Sequence, residues 1–217
     1  GAETNSTVVR VNESKWVTIM FGAQTTYCNG NYSSKMYNWI IEGNVVCSNE
    51  VIPVSGNITI RSGGNLTLYN VTIQFRATAD GSNFINKTAG GRLQILSSGS
   101  GGNRSGSVIT SSNTDYRYDF WVYGMGGNDN FTIKNSRVEY AGYDGGSKGL
   151  QLNNISDVEL TGNNFSINYY GIYLVNSRYV NLTNNTILNN SYGIYLNLSS
   201  YNNVRNNSIA ENSFGVY

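Results

Sequence analysis

Histidine is absent from all 217 residues of this chain, and proline occurs once. Without an imidazole there is no Ser–His or Cys–His relay and no histidine metal ligand. Charged residues make up only 12%, and the net charge is +1. This balance gives no electrostatic attraction to nucleic acid or to an anionic membrane. No apolar run approaches the roughly 18 residues that a membrane span needs, so none is predicted.

The polarity of the chain comes instead from 34 Asn, 25 Ser and 16 Thr. The glycosylation sequon N-x-[S/T] occurs 16 times, whereas this content of Ser and Thr would give roughly 6 by chance. The excess predicts a secreted, N-glycosylated protein at the cell surface. The predicted sites are Asn5, Asn12, Asn31, Asn57, Asn65, Asn70, Asn86, Asn103, Asn130, Asn154, Asn164, Asn181, Asn184, Asn189, Asn197 and Asn206.

Two cysteines are present, Cys28 and Cys47. They could be two buried thiols or one disulfide. Because the sequons indicate an oxidising compartment, the disulfide is favoured. A loop of this size would stabilise the fold by about 3 kcal/mol in the chain-entropy model.

A repeat of 22 residues occupies the C-terminal part of the chain. Segments 157–165, 179–187 and 201–209 align without gaps, and glycines recur at positions 149, 171, 193 and 215. Alternating apolar pieces between Asn-Asn and Tyr-Gly pairs are typical of short strands and turns, not of the helix-containing units of many leucine-rich repeats. Three strands and three turns per repeat predict an all-β fold, a right-handed parallel β-helix with coils of about 22 residues.

Stacking of coils about 4.8 Å apart places residues 22 positions apart above one another. Asn163, Asn185 and Asn207 are then expected to hydrogen-bond along the axis at a turn. The predicted inward columns are Val158 and Val180; Leu160, Leu182 and Val204; and Phe165, Ile187 and Ile209. Tyr173, Tyr195 and Tyr217 are expected to point outward in a row.

The same alternation continues upstream with looser spacing and Gly-rich insertions at 97–107, 124–128 and 141–147. The first residues do not repeat, and they contain both cysteines. We therefore expect an N-terminal cap and docking region at residues 1–45 and the parallel β-helix at residues 46–217.

The unit N-N-x-[I/F] followed by Y-G-I-Y-L resembles the β-helix repeats of the family that includes the periplasmic copper-processing protein NosD. Pectate-lyase-like proteins share that fold. Residues 39–73 look like the opening coils of archaeal cell-surface proteins of this class. The resemblance covers roughly residues 39–217, and it implies a fold more than a function, because such repeats occur in lyases, hydrolases, adhesins and structural proteins.

Carboxylate chemistry is the remaining route to an enzyme, since lyases and glycosidases use clustered acids. The densest set is Asp115, Asp119, Asp129, Glu139 and Asp144, with Arg117, Lys134 and Arg137 nearby. These acids do not recur at 22-residue spacing, so stacking does not gather them. We expect no catalytic residues, no metal site and no cofactor. Oxygen atoms of the segments around Asp129 and Asp144 could bind calcium, but neither segment matches a spaced calcium-binding motif.

The last coil presents an open edge, with Tyr173, Tyr195, Tyr217, Val216 and Ile209 as the predicted contact surface. Either the native chain is longer, or residues 7–11 of another copy dock there, which would build a head-to-tail filament. The tyrosine row is either cross-strand stacking or a platform for sugars or a neighbouring chain. The predicted function is an extracellular structural glycoprotein that forms a homopolymer. The alternative is a carbohydrate-active β-helix, either a polysaccharide lyase-like enzyme or a glycan-binding adhesin module.

Overall fold

A computed structural model describes residues 6–12, 15–20, 26–33, 37–97, 106–127, 129–144 and 146–217. Four short strands in the described part of the chain precede the coils, and a 3-10 turn (Cys28–Gly30) separates the last two. These strands are β1 (Ser6–Asn12), β2 (Lys15–Met20), β3 (Thr26–Tyr27) and β4 (Tyr32–Ser33). β1 pairs with β2 and β3 with β4, each antiparallel.

Seven coils of three strands follow, and one further strand begins the next coil. In chain order the strands are β5 (Trp39–Ile41), β6 (Asn44–Ser48) and β7 (Val51–Val54); β8 (Ile58–Ile60), β9 (Asn65–Tyr69) and β10 (Thr72–Phe75); β11 (Phe84–Lys87), β12 (Arg92–Leu96) and β13 (Val108–Ser111); β14 (Asp119–Tyr123), β15 (Phe131–Lys134) and β16 (Arg137–Glu139); β17 (Leu150–Asn153), β18 (Glu159–Thr161) and β19 (Asn164–Ser166); β20 (Tyr170–Val175), β21 (Asn181–Thr183) and β22 (Thr186–Leu188); β23 (Tyr192–Asn197), β24 (Asn203–Arg205) and β25 (Ser208–Ala210); and β26 (Phe214–Val216).

Each strand pairs in parallel with the strand three places further along the chain, which produces three sheets. Sheet 1 has eight strands and runs from β5 to β26, sheet 2 has seven and runs from β6 to β24, and sheet 3 has seven and runs from β7 to β25. The chain passes from sheet 1 to sheet 2 to sheet 3 in every coil. The prediction of a right-handed parallel β-helix is confirmed, and the hand is the one that parallel crossovers take.

Apolar side chains fill the inside of the coils in the predicted register. Ile172 and Leu182 are fully buried, so the strand alternation is confirmed. Paired core residues are 22 positions apart at Leu152–Leu174. At Ile85–Phe120 they are 35 positions apart, because insertions lengthen that coil at its corners without shifting the strands.

Buried asparagine amides satisfy the backbone at the corner between sheets 2 and 3. The amide oxygen of Asn185 accepts hydrogen bonds from Asn163 N (2.9 Å) and Asn163 Nδ2 (3.1 Å). Asn185 N and Nδ2 donate in the same way to Asn207 Oδ1, and Asn185 Nδ2 also donates to the Leu160 carbonyl at 2.8 Å. The predicted Asn column is therefore confirmed, and it lies inside the coil, where backbone groups have no access to water.

Two further inward ladders were not predicted from the sequence. Asn168 and Asn190 repeat the arrangement at the corner between sheets 3 and 1, with Asn190 bonded to Asn212 Oδ1 at 2.9 Å. Ser177 serves the third corner, where its hydroxyl accepts a bond from Ile155 N at 3.1 Å. Each corner of the β-helix thus contains a short polar side chain that bonds along the axis.

A disulfide joins Cys28 to Cys47, with the two Cα atoms 4.5 Å apart, as the sequence predicted. It ties the 3-10 turn to β6, and Cys28 N donates to Glu50 Oε2 at 2.8 Å. The Tyr32 ring packs on Trp39, with centroids 4.9 Å apart. The first strand of the three parallel sheets is β5, which pairs with β8.

Replacing Asn185 by Ala is expected to lower the free energy of unfolding by roughly 3 kcal/mol, because Asn163 N, Asn163 Nδ2 and the Leu160 carbonyl would lose a buried partner. Urea denaturation of the unglycosylated protein measures this. Asn184→Gly is the matched control, since Asn184 is exposed with a φ of 55° that glycine adopts freely. Equal loss in both variants would contradict a special role for the ladder.

Candidate functional site

The corner between sheets 3 and 1 changes abruptly along the axis. The first connection at this corner, residues 55–57, is a three-residue turn, and the next three are loops at 76–83, 112–118 and 140–149. The last three are again three-residue turns, at 167–169, 189–191 and 211–213. The long loops therefore stand out beside the short turns and form a step. A groove of about 350 Å³ lies along this step, and we call it the corner groove.

Polar groups and two tyrosines line the corner groove. Its residues are Arg117, Gly142, Tyr143, Ile167, Asn168, Tyr169, Asn189, Asn190, Ser191, Glu211 and Ser213. The Arg117 guanidinium donates to the Ile167 carbonyl and lies 5.8 Å from the centroid of the Tyr140 ring. Burial lowers the pKa of Arg117, while Asp80 and Tyr140 act in the opposite direction.

Asp119 is buried beneath the 140–149 loop, with 6% of its surface exposed. It accepts a hydrogen bond from the Ser147 hydroxyl. Burial, followed by the nearby charges of Asp144 and Asp80, raises the pKa of Asp119 to about 6. Asp144 in turn accepts bonds from Gly146 N and Ser147 N at 2.7 and 2.9 Å, which holds the loop over Asp119.

The other predicted acids lie elsewhere. Asp129 is at the corner between sheets 1 and 2, where it accepts bonds from Met125 N and Ser156 N. Glu139 pairs with Arg137 at 3.0 Å on sheet 3, and Asp115 is exposed. Asp119 and Asp144 interact with each other electrostatically, and Asp80, which is not one of the five, also acts on Asp119.

The tyrosine columns on sheet 1 differ from the prediction. Tyr173 contacts Tyr195 edge to face at 5.1 Å between centroids, and Tyr195 stacks on Tyr217 at 4.9 Å, but Tyr173 is only 4% exposed. Lys148 lies 4.7 Å above its ring, and Tyr170 packs beside it.

The prediction that Tyr173 belongs to an accessible contact surface is therefore wrong. It was expected from alternation alone, which gives the direction of a side chain but not what covers it. Tyr217 and Val216 are 64% and 55% exposed, Tyr195 is half-buried, and Ile209 packs against the core. Val204, which was expected inside, is partly exposed at the edge of sheet 2.

None of the sequon asparagines with a described side chain is buried. Seven are exposed: Asn31, Asn130, Asn154, Asn184, Asn189, Asn197 and Asn206. Six are half-buried: Asn57, Asn65, Asn70, Asn86, Asn164 and Asn181. The side chains of Asn5, Asn12 and Asn103 lie outside the described part of the chain.

The buried asparagines 83, 163, 168, 185 and 190 begin no sequon. Strand alternation explains this division at the corners. Asn185 points inward, so Ile187, two residues later, points inward as well and is apolar. Asn184 is exposed, and Thr186 completes its sequon on the outer side.

Sequence reasoning missed Lys87 and Asp80. Lys87 is 1% exposed, its Nζ donates to the Tyr123 carbonyl at 2.9 Å, and burial lowers its pKa, with Asp129 acting in the opposite direction. Sequence patterns assign lysine to the outer face of a strand, so they do not predict a buried lysine such as Lys87.

Residues 81–217, more than half of the chain, match the family model described as periplasmic copper-binding protein (NosD). The chain belongs to the NosD family. Neither the curated proteins nor the solved structures gave a match. The family description places this NosD-family chain on the extracytoplasmic side of the membrane, where disulfides persist. That description is of a binding protein, which confirms, at the level of the family, the prediction that the chain is not an enzyme. The described residues contain no helix long and apolar enough to span a membrane.

Copper does not fit the donor set of this family member. Protein copper sites use imidazole, thiolate and thioether ligands. The chain has no histidine, both cysteines are consumed by the disulfide, and the thioether donors are three methionines, of which Met125 alone has a described side chain. The described residues also lack any cluster of three His, Cys, Asp or Glu side chains. No metal chemistry is assigned to it.

Asp119→Asn is expected to stabilise the protein at pH 7 by roughly 3 kcal/mol. The pKa of Asp119 is raised to about 6 in the folded state, so the folded state binds this proton more tightly than the unfolded state. Stability conferred by the proton is present below about pH 4 and is lost as the pH rises toward 6.

Urea denaturation between pH 3.5 and 7.5 measures this, and the variant should lose that part of the pH dependence. Asp115→Asn, an exposed carboxylate on the preceding loop, should retain it. A wild-type stability that stays constant from pH 4 to 6 would contradict the assignment.

Proposed function

We propose that this chain is a structural glycoprotein of the cell surface, in which the β-helix is a rigid rod that carries N-glycans and associates head to tail. The observation that carries the proposal is the division of the asparagines. Buried amides hold the coils together, while the sequon asparagines stay on the outer faces and corners, where an attached sugar has room.

The rod is rigid along its length because each strand bonds to the same strand of the next coil. Aromatic columns on sheet 1 add to this. Tyr170, Tyr192 and Phe214 stack at 4.8 and 4.7 Å between centroids. Burial and the neighbouring tyrosines raise the pKa of Tyr170 to about 12, so the Tyr170 hydroxyl remains neutral at physiological pH. A stiff rod of low net charge suits a structural role.

The association surface in this proposal consists of the last described strands. β24, β25 and β26 each pair on one side only within the described sheets. Val216 is in register with the core residue Ile194, so a further strand placed on it would extend the core. Strand β1, which contains the predicted docking residues 7–11, uses one edge for β2, and its other edge supports docking by strand addition.

A second candidate function is a glycan-binding module. The corner groove favours it, since the groove combines tyrosine rings with hydroxyl, amide and charged groups. A lyase-like enzyme is not favoured, because Asp129 lies at the corner between sheets 1 and 2 and Glu139 pairs with Arg137 on sheet 3.

Glycopeptide mapping of the native protein should find sugar on most sequons, with the highest occupancy at the exposed corner asparagines Asn184, Asn189 and Asn206. Half-buried strand asparagines such as Asn86 and Asn164 should carry less, because the sugar would crowd the strands on either side. Intact mass before and after deglycosylation gives the total. Sugar on fewer than about four sequons, or mainly on strand faces, would contradict the proposal.

Electron microscopy and light scattering of the native protein should detect filaments whose axis is the β-helix axis. Val216→Lys should shorten or abolish them, because a charge would enter the extended core. Leu198→Lys is the matched control, since Leu198 is exposed at a corner and not on a terminal strand. A native protein that stays monomeric at high concentration would refute head-to-tail association.

A further inference from the structure

The corner groove has the size and shape of a small-ligand site. Its volume of about 350 Å³ falls at the lower end of the range for ligand pockets. The step between the 140–149 loop and the three-residue turns shapes it, and both sides are rigid. The Tyr143 ring packs against Gly81, where any Cβ would come within 3.2 Å of Tyr143 Cε1. The opposite side consists of turns held by the Asn168–Asn190 ladder.

Arg117 is the candidate recognition group, because it forms no salt bridge among the described residues, although the nearby charge of Asp80 acts to raise its pKa. The three salt bridges among the described residues involve other cations. Asp80 accepts a bond from the backbone N of Arg117, not from its guanidinium. The guanidinium bonds a carbonyl and faces an aromatic ring, so donors remain for a planar anion. Arginine binds carboxylates through two parallel hydrogen bonds.

The rest of the groove suits a ligand rich in hydroxyl groups. Tyr143 is 41% exposed and Tyr169 is half-buried, so both present ring surface. Ser191, Ser213 and Asn189 offer donors and acceptors along the turns. An aromatic ring beside convergent polar groups is the arrangement that binds a sugar ring, which has an apolar face and a hydroxyl edge.

We propose that the corner groove binds a saccharide that carries a carboxylate, with the carboxylate on Arg117 and a sugar ring against Tyr143. Glu211 also lines the groove, and the charges of Asp144, Asp119 and Asp80 act on Tyr143, so these carboxylates oppose an anionic ligand. The proposal does not depend on the structural role proposed above. The sugar could be part of a glycan on Asn189, which itself lines the groove, or part of a separate polysaccharide.

Calorimetric titration of the unglycosylated protein with trigalacturonate and with the neutral trisaccharide maltotriose tests the proposal. Saturable binding is expected, tighter for the uronate. Arg117→Gln keeps a donor for the Ile167 carbonyl but removes the charge, and it should raise the Kd for the uronate by about tenfold while leaving maltotriose unchanged. Tyr143→Ala should weaken both ligands.

Glu211→Gln should act in the opposite direction and tighten only the uronate, an effect that misfolding cannot imitate. Arg178→Gln, at the corner between sheets 1 and 2, is the control and should change neither Kd. Absence of saturable binding, or equal effects of Arg117→Gln and Arg178→Gln, would overturn the proposal.

The source of the sugar is decided with protein from a glycosylating host. If the glycan on Asn189 occupies the groove, wild-type protein should not bind added trigalacturonate, and Asn189→Gln should restore binding. If the ligand is separate, both proteins should bind it equally. Loss of binding in both forms, with binding retained only in unglycosylated protein, would mean that glycans elsewhere close the groove, and it would overturn a role for the groove in the native protein. Groove binding without any glycan on the native protein would refute the proposed glycoprotein and leave the groove site standing.

Discussion

Hydrogen bonding between successive coils is the constraint on which the whole molecule depends. Strands pair readily in parallel, but at each corner the backbone turns and leaves N–H groups inside an apolar core, where an unpaired group costs free energy comparable to a lost hydrogen bond. Short amide and hydroxyl side chains at the corners solve this. Asn163, Asn168 and Ser177 each bond to the equivalent position of the next coil. Without these partners, the backbone groups at a corner would favour contact with water, which would separate two coils and expose the apolar core of each.

Because the inside is fixed so strictly, variation is confined to the outside and to the corners. An insertion can leave a corner and return without shifting the strands, as the 35-residue spacing of Ile85 and Phe120 illustrates. The 140–149 loop is such an insertion, and it creates the corner groove by standing next to three-residue turns. The site proposed here therefore lies where coil lengths differ, and the regular coils support it.

Membership of the NosD family specifies the coil, not the chemistry of its surface. The family description names copper, yet this chain has neither imidazole nor free thiolate. The residues that it has in abundance are amides, hydroxyls and tyrosines. Side chains of these types can bind sugars or accept N-glycans, and in this chain they also hydrogen-bond the backbone groups at the corners. One composition thus supports both the fold and the functions proposed here.

Sequence alone determined the repeat, the inward register of Ile172 and Leu182, the column at Asn185 and the Cys28–Cys47 disulfide, because each follows from a period or from a single pairing. Tertiary structure alone decided how the irregular parts meet. The burial of Tyr173 depends on Lys148, which an insertion of unequal length places above its ring. Asp119 and Asp144 are brought together by neighbouring coils whose spacing has no fixed period, while Asp129 is sent to another corner. Lys87 lies at an inward-facing position of β11, on the same side as Ile85, although lysine side chains usually favour solvent. A period predicts what repeats; loops that occur once have to be packed in three dimensions before their contacts exist.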